Sequence, residues 1–165
     1  MNRDLSRRSF ALAAVTAGAG LALTTATLAQ KVDRGRRLEL ALVEEFVRAG
    51  HVNLERTKEL LGQQPGLLNA AWDWGGGDWE TAIGGAGHMG RKDIAGFLLE
   101  QGARMDIFVA AMMGRLDVLR PTLAAFPALA NSKGPHGITL MKHAKAGGEE
   151  AAAVVSFLES LSAAK

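Results

Sequence analysis

From Arg36 onward, apolar residues recur at steps of three and four. Leu38, Leu42, Phe46 and Ala49 form one stripe, with Glu39, Glu44, Glu45 and Arg48 around it. That spacing predicts a helix over 36–48 with one buried face. Asn53 can cap a second helix over 54–61, closed by Gly62 ahead of Pro65-Gly66. Further short helices are predicted over 81–88, 91–101, 106–113, 116–126, 137–146 and 149–161. Asp106 is a natural N-cap and Gly102 a natural left-handed stop. Pro121 falls inside the 116–126 segment, where its missing N–H predicts a late start or a kink. No stretch alternates apolar and polar residues for more than a few positions, so no strand is expected. The pattern is that of an all-α chain built from paired short helices.

The pairs echo one another. Thr81, Ala86 and Gly90 recur with the same spacing as Thr139, Ala144 and Gly148. Gly90-Arg-Lys-Asp93-Ile94 recurs as Gly114-Arg-Leu-Asp117-Val118, and Ala49-Gly-His51 as Ala86-Gly-His88. Internal repetition of two-helix units points to a stacked array, because one unit alone cannot bury its apolar face. Gly90, Gly114 and Gly148 would make tight turns with φ > 0. Ala86, Ala111 and Ala144 would let neighbouring inner helices approach closely. The residues alone also admit an irregular helical bundle or another helical array.

Thr81, Ile83, Ala86, Gly90, Asp93, Ile94, Leu98, Leu99, Gly102 and Ala103 fall in register on a pattern that resembles the ankyrin repeat. The resemblance extends over 38–161 and is sharpest in the second unit. Elsewhere it departs: Ala82 and Leu140 stand where the family has Pro, and Gly84 and Lys142 where it has His. It implies about four helix-turn-helix units over 36–162. The third is shortened, because Asp106 follows Gly102-Ala-Arg-Met too closely to leave a finger hairpin. It also implies that finger loops and inner helices hold partners.

Residues 1–29 read differently. Ser6-Arg7-Arg8-Ser9-Phe10 precedes a mild Ala/Gly/Thr-rich apolar run. This resembles a bacterial twin-arginine export signal, with Arg7, Arg8 and Phe10 as its signature. Cleavage is expected after Ala29, or after Ala26, with 30–35 as linker. The resemblance implies a periplasmic or secreted protein that crosses the inner membrane folded. An uncleaved anchor is the competing reading, disfavoured by the low hydrophobicity of the run. No later segment can span a bilayer.

The 165 residues leave room for one domain, and 48% apolar against 22% charged residues excludes a disordered chain. With no Cys there is no disulfide framework and no thiolate chemistry. The formal charge of +2 belongs to the leader: removing Arg3, Arg7, Arg8 and Asp4 leaves 16 residues of each sign. Nucleic acid is therefore not an expected partner.

All three Trp fall in Trp72-Asp73-Trp74-Gly75-Gly76-Gly77-Asp78-Trp79-Glu80. Trp supplies large contact area with a polar N–H. Trp72, Asp73, Trp74, Asp78 and Trp79 are thus the candidate contact residues for another protein or peptide, with His136 and Lys142 as neighbours. Trp72 and Trp74, two apart, would share one face of an extended segment and are the pair first expected to make the contact, whereas the gap-filling role falls first on Trp79. The competing readings are a Trp that plugs a gap between units, a small molecule or glycan held by the 72–80 finger, and a hydrolase using Asp73, Asp78 and Glu80. Catalysis is not expected, since no nucleophile elbow or phosphate loop is present. His51, His88, His136 and His143 show no metal-ligand spacing, so neither a metal nor another cofactor is expected. A monomer is the default for such an array.

Overall fold

The structure, a computed structural model, describes residues 35–163. Arg7, Arg8, Phe10 and both cleavage positions lie outside the described residues.

The described chain is mostly helical. Its helices are α1 Leu40–Val52, α2 Leu54–Gln63, α3 Ala82–His88, α4 Lys92–Glu100, α5 Ile107–Met112, α6 Leu116–Ala125, α7 Leu140–Ala146 and α8 Ala152–Ala163. Short 3-10 turns occupy Pro65–Asn69, Pro127–Asn131, Pro135–Gly137 and Gly148–Ala151. Several boundaries follow from side-chain caps. Asn53 accepts from Arg56 N, Thr81 from Gly84 N, Thr139 from Lys142 N, and Asp106 from both Phe108 N and Val109 N.

The helices expected over 137–146 and 149–161 begin instead at Leu140 and Ala152, behind 3-10 turns, and the expectation differs from the structure in three further places. The first helix lies about four residues later than its apolar stripe suggests. It runs on through Gly50, whose missing side chain serves packing against Ala82 rather than termination. Pro121 sits inside α6 without delaying its start, because the helix already begins at Leu116. An antiparallel hairpin, β1 Ala71–Asp73 and β2 Trp79–Thr81, is present where no strand was expected. Three residues per strand are too few to show a period of two.

Consecutive helices pack as α1 with α2, α3 with α4, α5 with α6 and α7 with α8. The odd-numbered helices also pack in chain order, α1 on α3, α3 on α5 and α5 on α7. Ala86, Ala111 and Ala144 are fully buried along this inner row. The turns at Gly90 and Gly114 have φ of 68° and 71°, and a side chain there would collide with the carbonyls of Ala146 and Glu150. One apolar cluster centres on Phe46, Leu60, Ile94 and Leu98; a second centres on Leu119, Leu123, Leu140 and Val154, and Met105 touches both. Two loops project from the inner row: the β1–β2 hairpin, and 133–139, closed by a bridge between Lys133 and Thr139. The link between α4 and α5 has no such loop.

Candidate functional site

The Gly-rich hairpin is held by its own residues. Gly75, Gly76 and Gly77 all have positive φ, a run that residues with a Cβ would strain to adopt. Asp73 Oδ1 accepts from Gly75 N and Gly77 N, at 2.9 and 3.2 Å. Asp73 is therefore occupied in shaping the loop.

Strand pairing then sorts the tryptophans. Trp72 lies opposite Glu80, and Asp73 opposite Trp79. Directly opposed residues share a face, so Trp72, Trp74 and Glu80 point one way and Asp73 and Trp79 the other. Trp72 and Trp74 do share a face, but it packs on the core and both are half-buried. Trp79 is 62% exposed. It borders a cleft of about 360 Å³ formed with Asp78, Phe108, Asp106, Lys133 and Pro135. Lys142 is exposed on α7 and does not line this cleft.

Glu80, 1% exposed, is the centre of a polar cluster. Trp74 Nε1 donates to its Oε2 at 2.8 Å. The Trp74 ring is capped by the Arg48 guanidinium, 4.6 Å from the ring centroid. Three histidines from three separate elements meet the carboxylate. His51, in the last turn of α1, brings Nε2 to 3.1 Å from Oε2. His88, the last residue of α3, brings Nε2 to 2.9 Å from Oε1. His136, from the turn before α7, brings Nε2 to 3.2 Å from Oε2. The four ligand-bearing side chains place their donor atoms within 4.8 Å of one another.

The surroundings fix these rings. His51 Nδ1 lies 2.8 Å from the Val47 carbonyl, and the ring rests on Gly85, where a Cβ would come within 2.6 Å of it. Asp78 grips His136 twice, through the backbone N at 2.9 Å and Nδ1 at 2.8 Å. That grip offsets a cost: His136 has φ of 57°, the one non-glycine with positive φ among the described residues. The fourth histidine, His143, is buried on α7, bonded through Nδ1 to the Thr139 carbonyl.

Electrostatics follow the geometry. Burial works to raise the Glu80 pKa, but His51, His88 and Trp74 outweigh it and hold the carboxyl far below its usual range. In return the Glu80 carboxylate raises His51 above its ordinary value, against the opposing effect of burial. Burial pushes His143 down.

Sequence reasoning singled out Asp78 and His136, and the fold joins them. It did not connect His51 and His88 to Glu80. Their signal was the matching Ala-Gly-His at the ends of α1 and α3, two helices that pack together and bring the His51 and His88 ring centroids to 4.9 Å. Comparison of the chain with family models, with curated proteins and with solved structures finds no match.

Proposed function

We propose that the chain is an exported, monomeric, ankyrin-like binding protein that takes up another protein or peptide through its projecting loops, and that it acts by binding rather than catalysis. The observation that carries this reading is Trp79, exposed at 62% beside a cleft that mixes Phe108 with Asp106 and Lys133. An exposed indole beside mixed charge suits a peptide with an apolar anchor and polar flanks. The order of helix packing, with small residues along the inner row, is what the resemblance to ankyrin repeats implies. Asp73 and Asp78 already serve the loop and His136, which leaves the hydrolase reading without a free carboxylate pair.

The test is affinity capture from periplasmic extract with the mature chain and with Trp79→Ala. A discrete partner held by the first and lost from the second, at unchanged melting temperature, is the expected result. Equal capture by both would sink the reading. Export has its own check: replacing Arg7 and Arg8 by Lys should leave the protein in the cytoplasm by cell fractionation.

A further inference from the structure

We propose that His51, Glu80, His88 and His136 form a binding site for one divalent first-row transition ion, with zinc the best-fitting candidate. The four ligand side chains are distinct from the residues that line the Trp79 cleft; Asp78 alone belongs to both, lining the cleft and holding His136.

Two histidine lone pairs point at one carboxylate oxygen. The Val47 carbonyl can only accept, so His51 Nδ1 must carry its proton. Asp78 Oδ2 likewise accepts from His136 Nδ1. In the neutral rings, therefore, both Nε2 atoms present bare lone pairs, and both lie 3.1–3.2 Å from the same carboxylate oxygen. Lone pairs facing a carboxylate repel unless a proton or a metal ion lies between; one metal ion would serve both rings, whereas two protons would place two imidazolium charges on rings whose centroids are 6.5 Å apart.

Two buried polar atoms of the cluster lack a hydrogen-bond partner. Glu80 Oε1 and His88 Nε2 are buried and 2.9 Å apart, yet neither has an aligned hydrogen bond. Protonation fills a gap only along a donor–acceptor line. A metal ion sits where several lone pairs converge, and needs no pairwise alignment. Ligand atoms around tetrahedral zinc lie about 3.4 Å apart, as follows from bond lengths of about 2.0–2.1 Å. His51 and His136 Nε2 lie 3.1 and 3.2 Å from Glu80 Oε2 and His88 Nε2 lies 2.9 Å from Oε1, a little short of that value, while the four donor atoms as a set lie within 4.8 Å of one another.

Groups behind the histidines hold two of the rings in place. Metal-bound imidazole characteristically gives its other N–H to a carboxylate or a backbone carbonyl, which fixes the ring. His136 has the first arrangement, with Asp78, and His51 the second, with Val47. Trp74 N–H orients the Glu80 carboxylate, and the absent side chain of Gly85 makes room for the His51 ring. Three imidazoles and a carboxylate suit zinc and its neighbours rather than the all-oxygen preference of calcium or magnesium. Charge also balances: a dication meets Glu80 directly and Asp78 one bond further out.

The experiment is a titration of the chelator-stripped protein with zinc by calorimetry, and with cobalt by visible absorption. One equivalent of each is expected, with cobalt giving the ligand-field bands of a low-coordinate nitrogen and oxygen site. His136→Gln, in an open turn and so expected to fold, should abolish those bands. Asp78→Asn, which alters only the outer shell, should weaken zinc binding about 10–100-fold. His88→Gln provides a second ligand variant, read only if its melting curve remains cooperative. A flat isotherm and no cobalt bands in folded wild-type protein would overturn the proposal. So would zinc and cobalt binding that is unchanged in His136→Gln, since the ion would then sit elsewhere.

Discussion

Gly85 and Gly96 are both helical glycines, and their surroundings set opposite expectations. A Cβ on Gly85 would press on the His51 ring, which is held by Val47 and Glu80 and has little freedom to yield. Gly85→Ala should therefore cost about 1–3 kcal/mol by overpacking, despite the better helix propensity of Ala. Nothing lies within 4 Å of a Cβ on Gly96 in α4, so Gly96→Ala should gain about 0.5–1 kcal/mol. Urea unfolding of the two variants checks both signs. Glu80 and His51 make a pH prediction for the metal-free chain. The depressed Glu80 pKa contributes stability that is present above the ordinary carboxylate range and lost as pH falls toward its folded value. The raised His51 pKa contributes stability that is present below about 6.5 and lost as pH rises through its folded value. The advantage of wild type over Glu80→Gln should thus be largest in mildly acidic solution and shrink on either side. Chemical denaturation across pH, in the presence of chelator, measures it.

At the scale of elements, caps were the most legible feature. Asn53 and Asp106 are short polar residues ahead of apolar runs, and each caps the helix that follows it, whereas Thr81, expected as the first residue of its helix, turns out to be the cap. Asp106 accepts two backbone N–H groups at the start of the six-residue α5. Asp106→Ala should therefore cost about 1 kcal/mol or somewhat more, read from thermal melts. The short helix has few internal bonds to compensate. Less legible was anything decided by contacts distant in sequence. Gly50 resembles a stop but is a close-packing residue, and only the position of Ala82 reveals which. The hairpin depends on three Gly in left-handed conformations and on Asp73 folding back on them, which hydrophobic period does not encode. Which tryptophan faces outward depended on strand register: contact was expected of Trp72 and Trp74 and gap filling of Trp79, whereas Trp72 and Trp74 pack on the core and Trp79 is the exposed one. The histidine cluster needed still more: two loops and two helix ends in their final stacking.

For the whole molecule, a ligand that binds only the assembled site stabilises every part coupled to it. If the folded chain alone binds zinc, free zinc at about 100 times Kd should add about 2.7 kcal/mol to unfolding. The gain should vanish in His136→Gln, as differential scanning calorimetry with and without zinc would show. The four residues come from α1, β2, α3 and the turn before α7, so the ion would tie the first helix pair to the last loop. Leu98, fully buried in the first apolar cluster, holds the stack by area instead.

The double grip of Asp78 on His136 joins positions 58 residues apart. Closing so long a segment costs chain entropy before any contact can repay it, whereas the helix pairs form from neighbours. In refolding, the paired helices should therefore appear early, and the strap among the last events. Zinc uptake, followed by stopped flow, should lag behind the recovery of helical circular dichroism. A nascent chain that has not yet released residues 133–139 would hold its first helices and still lack a site, so loading with metal would mark the point at which that loop has emerged and docked on the earlier helices.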